Sequence, residues 1–200
     1  MSSMESLADL MQDELKDIYD AEKQLTKALP KLAKKATNEQ LREAIEQHLQ
    51  ETEGHVERLE QIFERLGMPA KGKKCEGMKH LLEEGNDMIG EAEEDATRDA
   101  VMIAGAQKVE HYEIASYGTL RTWANLLGHT EVASLLEESL EEEKQADQKL
   151  TSIAESFVNA QAAEEAEEEV EAPARGRRTG ARGMRQSAAD RGRVANRGRR

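Results

Sequence analysis

The chain has 200 residues, with 28 Lys and Arg, 41 Asp and Glu, and a formal net charge of −13 at pH 7. A single Cys excludes an intramolecular disulfide framework, and no stretch approaches the roughly 20 apolar residues that a membrane-spanning helix needs. The acidic residues near the start do not fit a secretory signal. Aromatic residues make up only 3% and helix formers dominate, so we expect an all-α cytoplasmic protein.

Helix-spaced apolar residues predict a first long helix at the start of the chain. Ser2 and Glu5 have the spacing of a capping box, so the helix is expected to begin beside them. Pro30 removes a backbone hydrogen bond and predicts a kink or an early end. Thr37 or Asn38 is then expected to cap the second helix.

The remaining predicted helices are equally well delimited. The second helix is expected to end at Gly67, and a short helix is predicted over 78–91. A third long helix is predicted over 97–127, ending at Gly128, and Thr130 is expected to cap the fourth.

The connections between these helices predict the architecture. Two of them are tight turns, so the first and second long helices, and the third and fourth, should each form an antiparallel hairpin. The link between the hairpins has about 30 residues, enough to travel along the bundle. Two hairpins joined by one long crossover form a ferritin-like four-helix bundle.

The charge changes abruptly along the chain and predicts three regions. Residues 173–200 hold ten Arg and one acidic residue, Asp190, which gives a net charge of +9, and this segment is predicted to be disordered. Residues 161–172 form an acidic helix end or linker, and residues 1–160 form the bundle. Non-specific contact of 173–200 with nucleic acid through its arginines is one expectation; contact with the acidic bundle is another.

Several polar residues interrupt the apolar stripes of the long helices, roughly at mid-helix. Converging buried carboxylates repel one another unless cations compensate them, and a pair of divalent metal ions supplies that charge. Spacings of three and four place the paired residues on one face of their helices. The interrupting residues are Glu22, His48, Glu51, His55, Glu110, Glu113, Glu143 and Asp147, and all of them except His48 are predicted metal ligands.

Three segments resemble the YciE/YciF family of ferritin-like bacterial stress proteins. They read LKDIYDAEKQLTKALPKLAKKA, HLQETEGHVERLEQIFERLGM and VEHYEIASYGTLRTWANLLG, and the resemblance covers about residues 5–160. It implies a four-helix bundle with a di-metal site, often in a dimer. The biochemical activity of that family is not firmly established, so the resemblance leaves the function open.

The wider di-iron ferritin-like group uses a Glu, a Glu-x-x-His, a Glu and a Glu-x-x-His from its four helices. Carried over, this pattern implies the ligands Glu22, His55, Glu110 or Glu113, and Glu143. The chain departs from the pattern twice. Thr52 stands three residues before His55, with Glu51 one residue away, and the fourth helix has Ala146 and Asp147 where a His is expected.

The surroundings of this site are predicted with less detail. His48, Tyr19 and Tyr117 are candidates for hydrogen bonds to the ligands. Cys75 is expected to be a free loop thiol without a role. Surface or loop positions are predicted for His80, His111 and His129.

These observations favour a stress protein with two iron or manganese ions, zinc being an alternative metal, that handles peroxide, oxygen or ferrous iron. Iron storage would need a closed shell of many subunits. The main alternative is a dimeric scaffold without a functional metal site, which contacts polyanions through the arginine-rich segment. A homodimer without membrane contact is expected in either case.

Overall fold

The computed structural model describes residues 4–164, and this part of the chain is helical without a strand. None of its helices is both long enough and apolar enough to cross a membrane. The predicted linker and arginine-rich segment lie, apart from 161–164, outside the described residues. The α-helices are α1 (Leu7–Ala33), α2 (Glu39–Arg65), α3 (Glu76–Glu91), α4 (Asp95–Leu126) and α5 (Thr130–Ile153), and a π-helical turn (Ala154–Val158) follows α5.

The four long helices form the predicted bundle. Helix α1 packs against α2 and α4, while α5 packs against α4 and α2. Asp99, in the first turns of α4, accepts hydrogen bonds from the backbone N–H groups of Thr37 and Asn38, just before α2. Helices α2 and α4 therefore begin at the same end of the bundle, which is the topology of two hairpins with a long crossover.

The crossover returns along the outside of the bundle. It begins at Gly67, whose φ of 66° favours glycine. The Lys73 N–H donates to the Lys16 carbonyl, and the Lys73 ammonium pairs with Asp13, so the first part of the crossover lies against α1. Helix α3 then packs on α4 and α1. The long crossover with a short helix is thus confirmed.

The start of α1 differs from the sequence-based expectation. The helix begins at Leu7, because Ser6 accepts a hydrogen bond from the Asp9 N–H while the Asp9 carboxylate accepts from the Ser6 hydroxyl. A capping box centred on Ser6 therefore replaces the one expected at Ser2. Pro30 lies inside α1, which ends three residues later at Ala33.

The apolar core runs through the bundle on both sides of mid-helix. The rings of Tyr19 and Phe63 pack edge to face at 5.4 Å between α1 and α2. The largest fully buried apolar side chains are Met11, Leu15, Ile18, Leu25, Leu41, Leu59, Ile62, Phe63, Met78, Met102, Tyr117 and Leu120. This packing holds the middles of the four long helices in fixed register.

Candidate metal centre

Six buried polar side chains from the four long helices meet in the middle of the bundle. Each residue is at most 6% exposed, although four of them are carboxylic acids. Helix α1 contributes one of them, α2 two, α4 two and α5 one. They are Glu22, His48, His55, Glu110, Glu113 and Glu143.

Helical spacing explains why these side chains converge. His48 and His55 are seven residues apart, or two turns of α2, and Glu110 and Glu113 are three residues apart on α4. Antiparallel packing within each hairpin brings the mid-helix residues to one height. Glu143 lies on the buried stripe of α5, between Leu140 and Leu150.

The side chains form two adjacent groups, each with the donor atoms of a metal site. Donor atoms of Glu22, His55 and Glu143 lie within 4.8 Å of one another, and so do those of His48, Glu110, Glu113 and Glu143. Glu143 belongs to both groups. A carboxylate has two oxygens, so Glu143 has one donor atom to offer to each side.

The cluster lacks the hydrogen bonds that normally accompany buried polar groups. Nine buried side-chain nitrogen and oxygen atoms of the described residues have no hydrogen-bond partner, and all nine belong to these six residues. Both oxygens of Glu113 and of Glu143, and both ring nitrogens of His48, are among them. Since buried polar groups are otherwise satisfied, such a concentration indicates a missing partner, and a cation is the partner that carboxylates and imidazoles share.

Burial dominates the electrostatics of the carboxyl groups. It raises the pKa of Glu113 and of Glu110 well above the usual range, and the surrounding carboxylates raise the pKa of both further. Burial also raises the pKa of Glu143, and this effect outweighs the opposing contact with His55. The cluster thus resists carrying its full negative charge, which positive charge would relieve.

A carboxylate outside the cluster orients His55. The Nε2 atom of His55 lies 2.8 Å from the Glu142 carboxylate, so Nδ1 faces Glu143 Oε1 at 2.9 Å and Glu22 Oε1 at 3.3 Å. Arg58 donates to both oxygens of Glu142, and the Arg58 Nη1 atom also donates to the Ser139 hydroxyl. A carboxylate that holds the far nitrogen fixes the tautomer of a metal-binding imidazole.

These contacts also shift the pKa values of His55 and Glu142. Burial lowers the pKa of His55, but the hydrogen bond to Glu142 and the nearby Glu143 and Glu22 carboxylates raise it to about 12. The hydrogen bond from His55, with Arg58 as a further partner, lowers the pKa of Glu142 to about 2. Sequence reasoning missed Glu142 and Arg58, because nothing local connects residues that lie more than 80 positions apart.

Tyr117 holds the Glu22 carboxylate through a hydrogen bond. Its hydroxyl donates to Glu22 Oε1 at 2.5 Å inside the fully buried core, which leaves Glu22 Oε2 without a partner. Burial and the charge of Glu22 raise the pKa of Tyr117 well above its usual value. Tyr117 therefore lies where the sequence analysis expects a hydrogen-bonding neighbour of the ligands.

Three residues singled out in the sequence lie outside both groups. Glu51 is half-buried, accepts a hydrogen bond from Gln47 and lies 3.5 Å from the outer nitrogen of His48. Asp147 accepts a hydrogen bond from Gln107 and lies beyond the cluster. Tyr19 donates to the Glu60 carboxylate at 2.7 Å.

The structure gives His48 a more central place than the sequence analysis does. Its Nε2 atom lies 3.4 Å from Glu110 Oε1 and 3.8 Å from Glu143 Oε2, so it belongs to the second group of possible ligands. Thr52 lies between the two histidines of α2, and its hydroxyl donates to the His48 carbonyl. Thr52 therefore does not take the place of the missing Glu.

Cys75 is a free thiol, as expected, but it has a structural role that the sequence analysis did not assign to it. It is 1% exposed and caps α3, its sulfur accepting from the Met78 N–H and lying 3.0 Å from the Tyr112 hydroxyl. Burial, and then the Asp17 carboxylate, raises the pKa of the thiol. Exposed positions are confirmed for His80, His111 and His129.

Known proteins are similar to this chain in sequence and in fold. The chain is 50% identical over 161 residues to the protein YciF of Escherichia coli, covering 80% of this chain and 97% of the relative. The crystal structure of the E. coli stress protein YciF matches 78% of this chain and 99% of its own with a TM-score of 0.75. A structure of the protein YcfI from Rhodopseudomonas palustris matches 76% of this chain and 98% of its own, with 43% identity and a TM-score of 0.73.

A family model also covers nearly all of the described bundle. It matches residues 6–163, from just before α1 to the last helical residues after α5, and its description assigns no function. The chain therefore belongs to the family named Domain of unknown function (DUF892), and it is a homologue of the stress protein YciF.

Proposed function

We propose that the bundle holds two divalent metal ions, iron or manganese, between its four long helices. The observation that supports this proposal concerns residues 4–164, where all nine buried side-chain nitrogen and oxygen atoms without a hydrogen-bond partner belong to six His and Glu side chains. One site would take Glu22, His55 and Glu143, and the other His48, Glu110, Glu113 and Glu143.

The donor set fits such ions. Carboxylate oxygen and imidazole nitrogen suit iron, manganese and zinc, whereas a site without thiolate does not favour copper(I). Four carboxylates can neutralise the four positive charges of two divalent ions. The roles then follow from the contacts: Glu142 holds His55 through its outer nitrogen, and Tyr117 holds one oxygen of Glu22.

Iron or manganese bound here would supply electron transfer to or from oxygen, peroxide or ferrous iron. The chain's own contribution is a buried layer between the four long helices that keeps the carboxylates and imidazoles together. Because the E. coli relative is described as a stress protein, we infer that this chain acts in protection against stress, with turnover of peroxide or ferrous iron as the activity.

Elemental analysis tests this proposal. The full chain is loaded with Fe²⁺ without oxygen or with Mn²⁺, desalted, and compared with Glu143→Gln and the matched control Glu141→Gln. Glu141 lies on the same helix, is about half exposed and pairs with Lys144. We expect about two ions per chain in the wild type and in Glu141→Gln, and fewer than one in Glu143→Gln.

Gln has the shape of Glu, so circular dichroism should show an unchanged helix content in both variants. Peroxide consumption and ferrous-iron oxidation are then measured on the loaded wild type. Absence of retained metal in the wild type would contradict the proposal and favour a non-enzymatic scaffold.

A further inference from the structure

A cavity of about 310 Å³ lies between α1, α3 and α4. Apolar side chains form most of its wall, among them Leu25, Leu29, Leu82 and Met102. His48 and Glu110 lie at its buried end, where each has buried polar atoms without a hydrogen-bond partner. The cavity therefore reaches the candidate metal centre from outside the four-helix bundle, beneath the crossover helix.

The other end of the cavity is positively charged. Lys27 and Lys31 lie four residues apart on α1, and Lys35 follows after four more, just beyond the end of the helix; all three are exposed. None of the three forms an ion pair with another described residue. The Lys35 ammonium donates to Asn86 of α3 at 2.9 Å, which holds it across the edge of the cavity.

Such a cationic rim is unusual for this domain, because residues 1–172 hold 18 basic and 40 acidic residues. An acidic domain repels anions in general, so three unpaired ammonium groups at one opening define where an anion can approach. A wall of Leu and Met selects an apolar ligand, while polar groups at the entrance fix its orientation.

We propose that this cavity binds a free straight-chain monocarboxylate of medium length, with the carboxylate at the three lysines and the apolar chain inside. A volume of about 310 Å³ lies at the lower end of the roughly 300–1,000 Å³ that is typical of small-molecule sites, which suits a ligand of medium length. The chain then points towards His48 and Glu110. A role of this monocarboxylate as a substrate rests on the proposed metal centre, whereas its binding in the cavity does not.

Two glycines of α3 allow a matched test. Gly85 lines the cavity, and a Cβ atom at this position meets nothing within 4 Å. Gly90 is exposed on the same helix, also with open space around a Cβ, and does not line the cavity. Since Leu is a better helix former than Gly, Gly85→Leu fills the cavity and Gly90→Leu adds the same side chain elsewhere.

The experiment is a calorimetric titration of the metal-free full chain with decanoate and with decyltrimethylammonium, a cation of the same chain length. We expect saturable binding of decanoate to the wild type and to Gly90→Leu, and binding at least ~10-fold weaker to Gly85→Leu. A Lys27→Gln, Lys31→Gln, Lys35→Gln variant should show a similar loss. The cation should bind more weakly than decanoate to the wild type.

The controls separate this proposal from others. Every variant keeps the arginines of 173–200, so any contact of decanoate with them contributes equally. The lysine variant changes only exposed side chains, so it remains informative even if Gly85→Leu fails to fold. Equal decanoate affinities across the variants, or no saturable binding to the wild type, would overturn the proposal.

Metal content is measured on the same preparations. A wild type that retains two ions and does not bind decanoate contradicts only the cavity proposal. A wild type that binds decanoate and retains no metal contradicts only the proposed metal centre.

Discussion

At the residue scale, the cluster depends on side chains that lie outside both groups of possible ligands. Glu142 is the clearest case, because it fixes the ring of His55 and is itself held by Arg58. A histidine held in this way is preorganised, since its inner nitrogen, Nδ1, already faces Glu22 and Glu143.

Glu142→Gln is expected to weaken metal binding by about 10–100-fold, because a neutral amide forms weaker hydrogen bonds to His55 and Arg58 than a carboxylate does. A competition titration against a chelating dye measures this change. The matched control is Glu138→Gln on the same helix, since Glu138 also contacts Arg58, at 3.5 Å, but its side chain is 61% exposed. That control should stay within about twofold of the wild type, and equal losses in both variants would contradict the role given to Glu142.

The buried position of Cys75 leads to a prediction about pH. A raised pKa means that less thiolate is present at a given pH, so alkylation of the native chain should be slow at pH 8 and should still accelerate above pH 9. The chain in urea serves as the reference, since Cys75 is its single thiol. Matching rates and matching pH profiles in the native and unfolded chain would contradict this account.

At the element scale, Asp99 ties the second hairpin to the turn of the first. One of its oxygens accepts from the Thr37 N–H, and the other from the Thr37 hydroxyl and the Asn38 N–H. Asn38 in turn caps α2 through the Leu41 N–H. A buried acid, 2% exposed, thereby sets where α2 and α4 begin relative to each other.

Asp99→Ala should therefore lower the free energy of unfolding by about 2–4 kcal/mol, because it leaves three donors without their charged acceptor. Urea unfolding followed by circular dichroism measures the change. Asp95→Ala, in the first turn of the same helix, removes only an exposed pair with Arg98 and should cost less than about 1 kcal/mol. A similar small cost for both variants would contradict the tie between the hairpins.

The elements themselves could be predicted from the sequence, because apolar spacing, caps and glycines are local signals. Gly67 and Gly128 end their helices with positive φ, as expected. The start of α1 was misplaced because Ser6–Asp9 and Ser2–Glu5 have equivalent spacings. Pro30 lies in the last turn of α1, three residues before the helix ends at Ala33.

The site could be predicted in part for the same reason. Glu22, His55, Glu110, Glu113 and Glu143 interrupt apolar stripes, and the fold brings all five together. Glu51 and His48 are harder to rank, because both lie near the stripe of α2. At 100° per residue, Glu51 lies about 60° from His48 around the helix axis, whereas His55 lies only about 20° away. Contacts across helices, such as those of Glu142 and Asp99, leave no local signal.

At the scale of the whole molecule, the central cluster of buried acids lowers the stability of the bundle. Four buried carboxylic acids within one layer repel one another, and Glu113 has no hydrogen bond at either oxygen. An apolar or neutral layer would stabilise the fold better, as a buried charge is costly unless it is paired. Such a cost is typical of functional sites.

Glu113→Gln is therefore expected to stabilise the metal-free protein by about 1–2 kcal/mol at pH 7 and to lose the stabilisation that added Mn²⁺ gives the wild type. Thermal unfolding with and without Mn²⁺ measures both effects. Glu53→Gln, at an exposed position on α2, serves as the control and should change neither. A destabilised metal-free Glu113→Gln would indicate that the acid has a structural role.

In the proposed centre, Glu143 would contribute a ligand atom to each of two neighbouring ions. Electron paramagnetic resonance of the full chain at two equivalents of Mn²⁺ tests it most directly, because ions about 3.5–4 Å apart couple magnetically. We predict the broadened spectrum of a coupled pair in the wild type, and its loss in Glu143→Gln. The resolved hyperfine lines of isolated Mn²⁺ in the wild type, unchanged by Glu143→Gln, would contradict the account.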